Sequence, residues 1–139
     1  MPKLFGLNVF AVLLAAVVFF ALGAVWYGVL FSDAWMAANG VSEQAPDADM
    51  GLWMGVGFLI TLLQVFGLGF VLKKAAPSST LGGAGIGLAL SLLLAAPLSA
   101  YDFIYLPGHD AKLMAVDIGH FVIGWTLAAL ILGLFKAWK

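Results

Sequence analysis

The stretch Leu4–Phe31, LFGLNVFAVLLAAVVFFALGAVWYGVLF, carries one side-chain amide, Asn8, and no charge. Crossing the hydrocarbon core of a bilayer takes about 20 consecutive, mostly apolar residues, and this run exceeds that. Lys3 just before it could open a secretory signal, but the apolar part of a signal is only roughly 7–15 residues long. The stretch therefore reads as a signal anchor, the first transmembrane helix. Lipid offers the backbone no hydrogen-bond partner, so a lone span must be helical.

Three further blocks repeat the pattern: Met50–Leu72, Leu81–Ala100 and Leu113–Phe135. The expectation is an all-α, four-transmembrane-helix bundle, a single integral membrane domain over 1–139 with helices at about 4–31, 50–72, 81–100 and 113–135. Composition agrees, because 64% of the residues are hydrophobic and 9% charged, against roughly 45–50% and 25% in soluble domains. The connections are polar or turn-forming. Asn39–Asp49 is acidic, Lys73–Ser79 holds Pro77, and Tyr101–Lys112 holds Pro107-Gly108. Ser78, Ser79 or Thr80 can cap the third helix. Ser32–Ala38 either continues the first helix or bends along the outer surface.

Lysine placement orients the bundle. Lys3, Lys73, Lys74, Lys136 and Lys139 fall on one side of a four-span protein, and Lys112 on the other with most of the acids. Cytoplasmic flanks carry the excess of positive charge, so both termini are expected in the cytoplasm. Trp26, Tyr27, Trp35, Trp53, Tyr101 and Tyr105 then gather at the outer boundary and Trp138 at the inner one, as an interfacial belt does.

The same composition excludes several functions. There is no cysteine, hence no disulfide, thiolate metal site or thiol nucleophile. The six basic residues form no clustered face, so nucleic acid is not a partner. No phosphate loop, His-Glu-x-x-His or nucleophile with a nearby base occurs. No cofactor or metal is expected.

Polar residues inside the spans are the functional candidates. Asp117 and His120 lie three apart on one face of the last helix. They serve either packing, with Asp117 orienting a neutral imidazole, or proton or cation handling, to which Tyr101 or Asp102 would add a ligand. Asn8, Gln64 and Ser91 read as hydrogen-bonding glue or as the lining of a solute path. Trp26, Tyr27 and Trp35 could stack a ligand at the outer mouth, although interfacial anchoring also explains them. Gly51 and Gly55, Gly83 and Gly87, and Gly124 form small-residue stripes. Such stripes let helices approach closely, either within the bundle or between subunits.

One segment carries a resemblance. Asn8, an Ala/Val-rich run, Gly23-Ala24-Val25-Trp26-Tyr27-Gly28-Val29-Leu30-Phe31 and then Ala34-Trp35-Met36 resemble the DUF1761 family of small bacterial membrane proteins of unknown function. The glycine-rich start of the third helix and a last helix opening with Asp117 and closing near Gly133 are similar to the rest of that pattern. Val29 departs from a common proline, Ser32-Asp33 from Gly-Lys, and His120 from a frequent tyrosine. The resemblance implies four helices in a bacterial inner membrane, with no activity to carry over. The leading expectation is thus a homo-oligomeric or accessory membrane subunit without catalysis, its partners being the lipid bilayer and a second copy or another membrane protein. The alternatives are a small transporter or channel lined by Asn8, Gln64, Ser91, Asp117 and His120, and a membrane enzyme using Asp117 and His120.

Overall fold

The computed structural model describes residues 1–42 and 48–139. Four helices are long and apolar enough to cross a membrane: α1 (Val9–Leu30), α3 (Met50–Ala75), α4 (Thr80–Tyr105) and α5 (Ala111–Leu134). A short α2 (Ser32–Asn39) follows α1. The acidic residues Glu43 and Asp47 of the expected outer loop lie outside the described residues.

The first helix begins later than its apolar run. Lys3–Leu4 (β1) pairs antiparallel with Leu7–Asn8 (β2), with Lys3 opposite Asn8 and Leu4 opposite Leu7. Phe5 and Gly6 turn between them with φ of 50° and 80°, the left-handed pair that a two-residue hairpin turn needs. Asn8 then opens α1 as its cap, its side chain accepting from Phe10 N at 3.0 Å and Ala11 N at 3.4 Å. Leu4–Asn8 is therefore hairpin, not helix, although Leu7 and Asn8 are both buried.

The other boundaries follow local chemistry. Ser79 caps α4, its Oγ accepting from Gly82 N at 3.0 Å. Asp110 caps α5, its Oδ1 accepting from Leu113 N at 2.9 Å. Two spans widen into π turns, Trp26–Leu30 at the end of α1 and Ser91–Ala95 within α4. The second precedes Pro97, which has no N–H to donate and whose ring would strike the carbonyl four residues back in a regular helix. An added residue in the turn is a usual way around that conflict.

Helix α5 is the hub, packing against α4, α1 and α3, while α3 leans mainly on α1 and barely meets α4. Small residues make these approaches possible. A Cβ on Gly87 of α4 would lie 2.6 Å from Ala129 Cβ and 2.7 Å from the Trp125 backbone oxygen. On Gly124 it would collide with the Phe19 ring, and on Gly133 it would sit 3.1 Å from Thr80 Cγ2. The core beneath is Leu7, Ala11, Ala15, Ala16, Phe19, Val65, Leu68, Leu72, Ala128, Ala129 and Leu132. All of Met50–Val56, the first two turns of α3, is exposed.

Both ends of the sequence meet at one end of the bundle. Asn8 N donates to Ala137 O at 2.7 Å, Lys3 Nζ to Lys139 O at 2.8 Å, and Lys73 Nζ to Phe5 O at 3.0 Å. Asp102, Asp110 and Lys112 lie at the opposite end, around the α4–α5 connection.

Backbone cannot yield to a new methyl as a side chain can. Gly87→Ala is thus expected to destabilise the fold by about 1–3 kcal/mol. Gly85→Ala, where nothing lies within 4 Å, should be neutral or stabilising because it removes a helix-interior glycine. Thermal unfolding of the two variants in the same detergent checks the contrast.

Candidate functional site

The end of α1 and the start of α5 build the acidic end of the bundle. Two consecutive side chains of the wide α1 turn bond to two consecutive residues of α5. Trp26 Nε1 donates to Val116 O at 2.9 Å, and Tyr27 Oη donates to Asp117 Oδ1 at 2.6 Å. A hydroxyl–carboxylate bond this short belongs to the charge-assisted class. It fixes Asp117 against α1.

Asp117 also lines a cleft of about 350 Å³ formed by α2, the end of α4 and the start of α5. Trp35 and Asn39 come from α2, Ser99 and Asp102 from α4, and His109 and Asp110 from the connection. No lysine is among its described lining residues. His109 Nδ1 lies 2.6 Å from Phe103 O, in a residue held at a φ of 45°. Asn39 Nδ2 donates to Trp35 O at 2.8 Å, tying down the last turn of α2. Three carboxylates thus share one concavity, a field that favours a cationic occupant. Among the described residues no three His, Asp or Glu side chains approach closely enough to hold a metal ion.

The cleft continues into a second one. A lateral groove of about 390 Å³ opens between α3 and α4, floored by Phe121 and Trp125 of α5, and it shares Ser99 and Asp102 with the first. Gln64 stands on its α3 wall, its Oε1 accepting from Trp125 Nε1 at 3.0 Å.

The sequence candidates therefore separate. Asp117, Asp102 and Trp35 come together in the acidic cleft, braced from behind by Tyr27 and Trp26. His120 does not join them. Its ring is packed among Phe19, Tyr27, Phe121 and Trp26, with centroids 5.1, 5.2, 5.5 and 6.4 Å away. Its Nε2 is buried without a hydrogen-bond partner among the described residues. Asp117 bonds Tyr27 rather than orienting the imidazole. Ser91 is fully buried and donates to Leu88 O at 2.7 Å within its own helix. Asn8 caps α1 at the far end of the molecule. Tyr101 is exposed and stacks on Tyr105. Among the described residues, Asn8, Gln64, Ser91, Asp117 and His120 share no common cavity.

The glycines divide too. Gly83, Gly87 and Gly124 pack inside the bundle, while Gly51 and Gly55 have nothing within 4 Å. Sequence reading missed Asn39, Ser99, His109 and Asp110 as site residues. Ser99 could have been found, since it lies three before Asp102 and hence on the same helix face.

The Tyr27–Asp117 bond gives a direct test. Hydrogen bonds to a charged group contribute about 1.5–3 kcal/mol. Tyr27→Phe and Asp117→Asn should each lower stability, and the double variant should lose less than the sum. Additive losses in a double-mutant cycle, read by unfolding, would show that the bond contributes nothing.

Comparison with known proteins bears on nearly the whole chain. No match was found among curated proteins or among solved structures. A family model described as a protein of unknown function (DUF1761) matches residues 10–133. The match takes in every long helix and the acidic cleft, leaving out little beyond the terminal hairpin and the tail. The chain belongs to the DUF1761 family.

Proposed function

We propose that the chain is a multi-pass protein of the bacterial inner membrane, with its lysine end in the cytoplasm. In this reading it works without catalysis, as a subunit that docks a second membrane segment, first of all a copy of itself. The observation that carries it is the outer half of α3. Met50–Val56 is exposed throughout, and it bears Gly51 and Gly55 one turn apart, each with open space where a Cβ would stand. Most helix faces of a membrane protein meet lipid, but a small-residue face offers lipid little contact and a helix a close fit. The lateral groove beside it, between α3 and α4, widens the same unpartnered side.

The orientation rests on Lys3, Lys73, Lys74, Lys136 and Lys139, which flank the spans at one end. The enzyme alternative loses support because His120 is enclosed by rings and lacks the carboxylate partner a general base would use. The transport alternative loses support because its five polar residues sit at separate places, Asn8 and Ser91 bonded locally. A second binding function is favoured by the acidic cleft, whose Asp102, Asp110 and Asp117 suit a small cationic solute at the outer mouth.

Because the chain has no cysteine, single-cysteine variants report one position each. Gly51→Cys or Gly55→Cys should form a covalent dimer on oxidation in native membranes, whereas Leu93→Cys, exposed on α4, should not. Equal cross-linking from all three, or single-step photobleaching of labelled wild type in nanodiscs, would overturn the self-association. A fluorescent protein fused after Lys139 should mature, as only a cytoplasmic end allows; a dark fusion with active phosphatase at that end would reverse the orientation.

A further inference from the structure

The lateral groove between α3 and α4 holds polar groups that no other part of the protein uses. It exists because those two helices barely meet. At about 390 Å³ it has the size of a small-molecule site. Its lining is mostly apolar, with Ala95 and Leu98 on α4 and Phe121 and Trp125 on the floor. The two rings stand edge to face, 6.2 Å apart at 78°. Gln64 Oε1 holds the indole in place by accepting from Trp125 Nε1 at 3.0 Å.

A hydroxyl inside a span has its own helix to donate to. Thr61 donates to Gly57 O at 3.0 Å, Ser91 to Leu88 O at 2.7 Å and Thr126 to Val122 O at 2.6 Å. Ser99 of α4 is different. Its Oγ has no hydrogen-bond partner among the described residues, and it lines both the groove and the acidic cleft. One turn further along, Asp102 lines the same two spaces. The carboxylates of Asp110 and Asp117 are engaged, by Leu113 N and by Tyr27 Oη. That of Asp102 accepts no hydrogen bond among the described residues.

These groups fall in order along the helix. Asp102 stands at the acidic end, Ser99 one turn inward, and the aromatic floor beyond, with Gln64 opposite on α3. Ala95 to Asp102 is about 10 Å of helix at 1.5 Å per residue. The sequence of chemistries matches an amphipathic amine. An ammonium donates to a carboxylate and to a hydroxyl oxygen, and an apolar body covers aromatic surface, which itself attracts a nearby cation. No lysine is among the described lining residues to compete for the carboxylate.

We propose that the groove binds a membrane-partitioning organic amine, its ammonium between Asp102 and Ser99 and its apolar body over Phe121 and Trp125. With the bundle in a bilayer, as proposed above, such a ligand enters sideways between α3 and α4. The site shares Asp102 with the acidic cleft and so rests on the cationic reading of that cleft, to which it adds the apolar half of the ligand. Gly51 and Gly55 are among the lining residues of neither space.

The test uses the full chain in phosphatidylcholine nanodiscs, with empty nanodiscs as the blank. Radiolabelled phenylbutylamine is bound at neutral pH, where the amine is protonated. It is displaced by methylamine, which has only the head, or by phenylbutanol, which has only the body. Saturable binding above the blank is expected, with each competitor weaker than unlabelled phenylbutylamine by about tenfold or more. Asp102→Asn should weaken binding about tenfold or more, as when a charge-assisted contact is lost, and Ser99→Ala several-fold. Leu93→Ala, exposed on α4 and outside the groove, should bind as wild type. No saturable binding of phenylbutylamine overturns the proposal, and labelled methylamine measured alongside decides the acidic cleft separately. Displacement by methylamine as strong as by phenylbutylamine removes the groove and leaves the cleft its small cation. Equal displacement by phenylbutanol, or unchanged affinity in Asp102→Asn or Ser99→Ala, also overturns the proposal. So does a loss in Leu93→Ala as large as theirs.

Discussion

The seam between α4 and α5 rests on a missing side chain. At Gly87 the backbone of α4 comes down onto the Trp125 carbonyl and the Ala129 methyl, closer than any residue with a Cβ allows. In the bilayer setting proposed above, lipid supplies no hydrophobic push between helices, and packing of this kind is what holds them. The same device recurs around α5, where Gly124 receives the Phe19 ring of α1 and Gly133 the Thr80 start of α4. Around this hub the lysine-bearing half of the bundle closes, and its core of alanines and leucines follows. The half that carries the acidic cleft is left to other rules.

Above Gly87 the helices part. The π stretch Ser91–Ala95, set just before Pro97, interrupts the regular course of α4, and the first two turns of α3 stand exposed. The space between becomes the lateral groove, and at its top the three carboxylates of the acidic cleft gather. Tight seam and open mouth are two consequences of where glycine and proline fall along one helix. The strong polar contact at the mouth, Tyr27 to Asp117, ties α1 to α5. It does nothing to draw α3 towards α4.

Much of this was legible in the sequence. The four spans and the lysine pattern are one-dimensional properties, fixed by how many apolar residues stand in a row and which charges flank them. Asp117 and His120 show where such reading stops. Their spacing puts them on one helix face, yet α1 separates them, because Tyr27 reaches the carboxylate while Phe19 and Trp26 close around the imidazole. Which neighbour arrives is a tertiary fact that spacing cannot carry. The glycines make the same point, since the pairs Gly83/Gly87 and Gly51/Gly55 look alike as strings but differ in what faces them. The start of α1 departs from the apolar run for a local reason. Leu4 and Leu7 are apolar enough for a span, but Phe5-Gly6 turns the chain and Asn8 caps the helix that begins at Val9.

The knot of bonds joining Asn8 to Ala137 and Lys3 to Lys139 has a temporal meaning. The first helix synthesised finds its chief partners in α3 and in α5, the last. The Lys3–Asn8 hairpin therefore cannot complete its docking until the tail that follows α5 has been made. Assembly is thus dominated by contacts distant in sequence, which makes the closing step slow relative to the formation of each helix. Until that closure the faces of α1 and α5 that meet at Phe19 and Gly124 stand uncovered.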